Sequence, residues 1–319
     1  MEESQNTERL PETKKTGLFL ILFSITFLFT LPYLFGMEIP VWLVLTLFAF
    51  FVVVTGIPHG AVDHIVATSV YGLQNNLYDK FKFYSTYLLI MMLLGIVWIF
   101  SPITGFIIFI IISVYHFGQG DLSYLISEMH PMKRSLIYTS RGLFLVGLPI
   151  LLHSEITIPI IEAAIQKELS RSLFLLEYAH FISLALMAQH FLLLIYIAVH
   201  KRMTLYKEFL LTGLLALLFW TAHPLLSFGL YFGIWHSLNH FFELRDHLKV
   251  DDHKYSTLSL YLKTIPFTVI SFIGLGFLWF IQGAFGLENQ MISLLFILIS
   301  VLTLPHMILI DRMYQKSKP

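Results

Sequence analysis

The chain has 319 residues, 57% of them hydrophobic and only 13% charged, with a mean hydropathy of +0.76. Soluble proteins carry about 25% charged residues, so this chain has too few polar side chains to cover a water-facing surface. Twenty basic residues against twenty acidic ones leave none of the positive excess that a nucleic-acid binder needs, and the absence of cysteine excludes disulfides, iron–sulfur clusters, thiolate zinc sites and a cysteine nucleophile. The composition predicts an all-α, polytopic transmembrane helix bundle.

Residues 1–16 are polar, mixed in charge and unlike a cleavable signal, which predicts a cytoplasmic tail ahead of a retained first span. A bilayer-spanning helix needs about 17–25 mostly apolar residues. Ten such runs follow, at 17–36, 39–58, 83–100, 102–118, 137–153, 173–199, 208–222, 224–244, 264–282 and 289–310. Between the fifth and sixth, Ser154–Ser172 mixes Ile with Glu162, Lys167, Glu168 and Arg171, and predicts a short amphipathic helix lying at the interface.

Seventeen Lys and Arg fall in the two ends of the chain and in the loops after the second, fourth, sixth and eighth spans. Only Lys167 and Arg171 fall on the other side, with Arg141 near the start of the fifth span. Cytoplasmic loops are the basic ones, so both termini are expected in the cytoplasm of a cell (inner or plasma) membrane. With no internal repeat and no soluble domain in view, the organisation is one transmembrane catalytic domain over 17–310 between tails at 1–16 and 311–319.

Fourteen histidines are the anomaly in so apolar a chain. Ionisable groups inside a membrane are costly and ordinarily face a protein interior with a task. Three polar islands hold several of them: Pro58-His59-Gly60-Ala61-Val62-Asp63-His64, Tyr115-His116-Phe117-Gly118-Gln119-Gly120-Asp121, and Trp235-His236-Ser237-Leu238-Asn239-His240-Phe241-Phe242-Glu243. Pro305-His306 comes near the end of the last span.

The spans that carry these islands all run from the outer face inward. At about 1.5 Å rise per residue, His116 lies roughly 20 Å below the outer face, His236 and His240 roughly 18–24 Å, His306 roughly 25 Å and His59 roughly 30 Å. Four helices thus bring imidazoles into the cytoplasmic half of the bilayer. His236 and His240, at i and i+4, share one helix face about 6 Å apart, so one helix supplies two ligands. Glu243 is placed three residues on to accept a hydrogen bond from a ligand ring. Pro58 is expected to break the helix ahead of His59 and, with Gly60, to turn His59 inward.

Neutral imidazoles suit iron, copper, zinc and nickel rather than magnesium or calcium. With no thiolate and with positions left open at the metal, Fe(II) binding O2 is the natural candidate; copper and zinc stay open on residue types alone. A lone membrane histidine is more often a hydrogen-bonded packing residue than a ligand. His190, with Gln189 as its one polar neighbour, is expected to pack, and His180 lies too far toward the outer leaflet. His130, His153, His200, His223, His247 and His253 fall at span ends or in loops.

With the three islands in this order and at these separations, the chain resembles the Brp/Blh family of integral-membrane β-carotene 15,15′-dioxygenases across roughly residues 40–310. The resemblance implies an Fe(II) enzyme that uses O2 to split the central double bond of β-carotene into two molecules of all-trans-retinal. The family's iron histidines fall on His59, His116, His236 and His240, the set that depth and spacing also select. The resemblance further implies a rhodopsin as recipient of the retinal. Around the metal, His64, Asp63, Asp121, Glu243 and His306 are the supporting candidates. Tyr115, Phe117, Tyr231, Phe232, Trp235 and Phe242 are the candidates for the wall of an apolar tunnel that a lipid-soluble polyene enters sideways from the bilayer.

Three other readings compete. A membrane di-iron hydroxylase or desaturase needs histidine clusters with adjacent His-His pairs, and this chain has none. A transporter or a bis-histidine haem carrier would want more intramembrane carboxylates or fewer clustered imidazoles. A protein that binds or carries carotenoid or retinal without cleaving it has the same sequence signature as the enzyme. Oligomeric state is left open.

Overall fold

The structure is a computed structural model that describes residues 12–74, 76–169, 174–201, 205–250, 255–285 and 290–316. Among the described residues it has eleven helices and no strand, apart from short helical turns at Phe174–Glu177 and Gln282–Phe285. In chain order these are α1 (Glu12–Leu34), α2 (Val41–Tyr71), α3 (Leu77–Phe100), α4 (Pro102–Ile126), α5 (Pro131–Leu152), α6 (Ser154–Ile165), α7 (Ala179–Lys201), α8 (Tyr206–Thr221), α9 (224–250), α10 (Thr257–Ile281) and α11 (Met291–Lys316).

Eight of them, α1 to α5, α7, α10 and α11, are long and apolar enough to cross a membrane. The other two expected spans are also helices, but different ones. At 16 residues α8 is about 24 Å long, short of a hydrocarbon core of about 30 Å, and α9 carries the polar island with His236, Asn239 and His240 at its centre. Helix ends run past the apolar stretches, because polar residues continue the helix once it leaves the apolar core. Thus α2 continues to Tyr71, and α3 starts at Leu77 behind the Asn76 cap, whose side chain accepts from the Asp79 N–H at 2.8 Å. The expected C-terminal tail is helical as far as Lys316, and most of the expected N-terminal tail lies outside the described residues.

The expected amphipathic segment forms α6, which ends at Gln166 in the left-handed region (φ 54°). It does more than lie on a surface. Ala164 and Ile165 are buried, and Ser293 of α11 donates to the Ile160 carbonyl at 3.2 Å.

Polarity is arranged inside out. The outer faces of α3 and α10 present Leu88, Met92, Leu93, Val269, Ile273 and Phe277, whereas Asp63, Arg141, Gln119 and six histidines are buried. Helices in lipid gain little from pressing apolar faces together, so close backbone contact and buried polar bonds carry the packing. At the crossing of α4 and α5, Gly118 faces Tyr138 and Gly142 faces Val114. A Cβ on Gly118 would fall 1.8 Å from the Tyr138 carbonyl oxygen, and one on Gly142 1.7 Å from that of Val114. This contact fixes α4 two residues past His116.

Three helices widen by a π turn: α2 over Val52–Gly56, α5 over Leu143–Gly147 and α9 over Tyr231–Leu238. Such turns concentrate at functional sites because they rephase the side chains that follow. In α2 the turn corrects the expectation of a break at Pro58. The helix continues through the proline, since the wider turn upstream absorbs the missing N–H. The Val54 carbonyl, which a residue 58 N–H would ordinarily satisfy, accepts instead from Tyr261 Oη of α10 at 2.9 Å. Tyr261→Phe is expected to cost about 1 kcal/mol, measurable as a lowered unfolding midpoint in detergent.

Candidate metal centre

Five imidazoles from four helices converge at the centre of the bundle. His59 comes from α2, His116 from α4, His236 and His240 from α9 and His306 from α11, and all five are buried. The His59 ring lies 5.4 Å from that of His236, 6.0 Å from His240 and 5.1 Å from His306. His116 lies 5.0 Å from both His236 and His306, and 6.0 Å from His240. His236 and His240 stack with centroids 5.9 Å apart and planes 13° from parallel, so the i, i+4 pair does share a face. Ring nitrogens of His59, His116 and His306 come within 4.8 Å of one another.

Hydrogen bonds leave a particular set of nitrogens over. His59 Nδ1 is anchored on the Gly56 carbonyl, at the end of the π turn. His306 Nδ1 meets Asp63 Oδ1 at 2.8 Å, and the other oxygen of Asp63 accepts from Tyr87 Oη of α3 at 2.9 Å. His240 Nδ1 lies 3.5 Å from Glu243 Oε2, which accepts from Tyr314 Oη at 2.8 Å. Both nitrogens of His116 and His240, and Nε2 of His236 and His306, are buried without a hydrogen-bond partner. Native proteins seldom leave such groups unmatched, since each costs about 1–3 kcal/mol. A cation at the shared focus would take one nitrogen from each ring, and an all-imidazole donor set fits a borderline transition metal.

Several expected supporting residues are here and others are not. Asp63, Glu243 and His306 meet the cluster as described. Phe117 packs edge-on to His236 at 4.6 Å, Phe232 stacks parallel to it at 6.1 Å and also meets His59 at 5.7 Å, and Tyr231 lies 6.3 Å from His236. His64 turns away: its Nδ1 meets the Ala61 carbonyl at 3.1 Å and its ring lies against Phe267 at 4.4 Å. Asp121 pairs with Arg141 rather than with a ligand ring. Three expected wall residues also face elsewhere. Tyr115 packs on Tyr138, Trp235 donates from Nε1 to Thr26 of α1 at 2.8 Å, and Phe242 lies under the Arg245 guanidinium at 5.2 Å. Consecutive residues on a helix point about 100° apart, so Tyr115 and Trp235 turn away from the site on one side of their histidines, while Phe117 on the other side of His116 still reaches His236.

Sequence reasoning missed a second buried polar network one turn along α4. Arg141, only 1% exposed, donates from Nε to Asp121 Oδ2 at 2.9 Å and from Nη1 to Thr212 Oγ1 at 2.9 Å and His190 Nε2 at 3.1 Å. Tyr231 Oη donates to Asp121 Oδ1 at 3.2 Å, so the network touches the wall of the histidine cluster. His190 is therefore a packing residue, as expected, but one held by a charge. An arginine and an aspartate inside apolar spans were the available signal.

An apolar cleft lies beside the cluster. It is lined by α4, α5, α6, α9 and α11, with Phe106, Phe109, Ile110, Phe228 and Phe296 along its length and Trp98 of α3 at its side. Phe117 lines it too, and is the residue whose ring lies against His236. Its apolar lining is that of a small-molecule site.

Over residues 50–314 the chain matches the family described as Beta-carotene 15,15'-dioxygenase. It is also 27% identical over 270 residues to a protein named Beta-carotene 15,15'-dioxygenase from uncultured marine bacterium 66A03, across 83% of this chain and 92% of that relative. No solved structure matches it. The family match takes in all five clustered histidines and the helices that carry them, and on this ground the chain belongs to the β-carotene 15,15′-dioxygenase family.

Proposed function

We propose that this protein is an Fe(II)- and O2-dependent β-carotene 15,15′-dioxygenase, working in a cell membrane as a single catalytic domain that crosses it ten times with both ends in the cytoplasm. The observation that carries this reading is the set of buried, unpartnered imidazole nitrogens beside an apolar cleft, which Phe117 joins to the cluster. His59, His116, His236 and His240 are the proposed ligands. Bound Fe(II) supplies activation of O2, and the overall change is balanced: one C=C bond and one O2 become two C=O groups, two molecules of all-trans-retinal.

The chain's own residues do the rest. The cleft accepts a hydrocarbon polyene by desolvation alone, because its walls offer almost nothing but aliphatic and aromatic carbon. Phe117 and Phe232 pack the rings against which the alkene is held and keep water from the reacting carbons. The Gly56 carbonyl orients His59, and the Glu243 carboxylate stands 3.5 Å from His240 Nδ1. Both substrate and product dissolve in the bilayer, where a rhodopsin in the same membrane is a natural recipient of the retinal.

The test is expression in cells that make β-carotene, with pigment loss and retinal formation followed by chromatography. Retinal is expected, and the purified protein should lose activity on iron chelation and regain it on adding Fe(II). An iron-loaded, membrane-inserted protein that binds carotenoid and makes no retinal would instead be a carotenoid-binding or carrying protein. The cleft has its own check. Ile110→Trp, which puts a larger side chain into the cleft wall, is expected to lower kcat/KM at least about tenfold, since a single misfit in a tight pocket costs that much, while iron per chain stays at the wild-type value.

A further inference from the structure

We infer that His306 is itself a donor to the metal, held in place by Asp63 and Tyr87 as positioning residues. This deepens the reading above and rests on it. Four observations converge on this chain of three side chains.

The first is the tautomer. A carboxylate accepts only, so the 2.8 Å contact with Asp63 requires the proton on His306 Nδ1. In the neutral ring Nε2 is then a bare lone pair, buried and without a hydrogen-bond partner. In a charged ring the same nitrogen would be a buried donor, equally without a partner. A metal ion is the partner that suits the first state.

The second is charge. Asp63 is only 3% exposed, and its two oxygens bond His306 and Tyr87, neither of them a fixed cation. A cation on the far side of the His306 ring would balance the buried carboxylate through the imidazole. Carboxylate–histidine–metal chains have this form, and the carboxylate raises the basicity of the ligand ring.

Position is the third. Nitrogens of His306, His59 and His116 approach one another within 4.8 Å, and the His306 ring also lies 5.6 Å from that of His240. His306 is therefore no farther from the focus of the site than the other four imidazoles.

The fourth is construction. His59 and Asp63 are i, i+4 on α2, one turn beyond its π turn, so a single helix face presents one imidazole and the anchor of another. Tyr87 extends the anchor to α3, and the link from Asp63 to His306 closes α2 on α11 across 243 residues of chain. A histidine that merely packed would need neither a dedicated carboxylate nor a tyrosine behind it.

The full-length protein, purified in detergent and loaded anaerobically with Fe(II) or with Co(II), gives three readouts besides activity. They are metal bound per chain, affinity in chelator competition, and the visible absorption of the Co(II) form, which responds to the ligand set. His306→Ala is expected to weaken metal binding about 10–100-fold and to change the Co(II) spectrum. Asp63→Asn is expected to weaken binding about 10–100-fold too, the usual effect of removing a ligand's outer partner. Asp63→Asn keeps an oxygen for Nδ1–H and so preserves packing. Tyr87→Phe should show a smaller loss in the same direction. Wild-type affinity and an unchanged Co(II) spectrum in both His306→Ala and Asp63→Asn would overturn the assignment and leave His306 a packing residue. A wild-type chain that holds neither metal would instead remove the centre itself, an outcome read before any variant is made.

Discussion

His116→Ala and His236→Ala are each expected to abolish retinal formation, lowering turnover by at least about 100-fold, and to release most of the iron. The two rings lie 5.0 Å apart on different helices, and together they offer three nitrogens that are buried without a hydrogen-bond partner. Removing either one takes away a donor that nothing nearby replaces. The packing around them is tight, with Phe117 at 4.6 Å from His236, so alanine also leaves a hole beside the substrate wall. Loss of fold is separated from loss of metal by gel filtration and helical circular dichroism, both of which should stay close to wild type. His180→Ala is the control, since that ring is exposed beside Trp220, 6.4 Å away, and its loss should leave iron and activity intact. Full iron content in His116→Ala or His236→Ala would remove that residue from the ligand set.

Arg141→Leu is expected to be the most destabilising single change outside the histidines, at about 3–5 kcal/mol, because it leaves the buried Asp121 carboxylate without its cation. The guanidinium also satisfies Thr212 and His190, so three helices lose bonds at once. The double variant Arg141→Leu with Asp121→Leu should recover much of the loss, since replacing both members of a buried pair by apolar groups is often close to neutral. The unfolding midpoints of both variants in one detergent decide this. A single variant as stable as wild type would mean the pair contributes little.

Much of the architecture was legible in the sequence, for a physical reason. Apolar length identifies a membrane helix without any tertiary information, so all ten expected spans appear as helices. The polar islands were legible because histidine is rare in such surroundings, and the structure does gather His59, His116, His236 and His240. What spacing could not reveal was anything set by contact between distant segments. His306 stands in the shortest of the islands, Leu304-Pro305-His306, and nothing in that stretch points to Asp63, its partner 243 residues away. Arg141 reads as a charge near a span end and Asp121 as a supporter of the metal; they become partners only where α4 and α5 close on one another, Gly118 against Tyr138 and Gly142 against Val114. Adjacency in sequence is not adjacency in space, and three of the six expected wall aromatics face elsewhere. Tyr115 and Trp235 sit beside site histidines in the chain and point away from them, while Phe228 and Phe296, far from any motif, line the cleft.

The π turn of α2 amounts to one residue more than an ordinary helix would use between the same two points. Wound as a regular helix, the same sequence would carry everything beyond Gly56 round by about 100°, taking His59 off the site and Asp63 off His306 together. The bulge absorbs that extra residue locally. A one-residue deletion inside it would leave a regular helix still in phase, whereas the same deletion between Ile57 and His59 has no bulge to absorb it. The extra residue works as a phase setting, a piece of information carried by the count of residues and not by their identity.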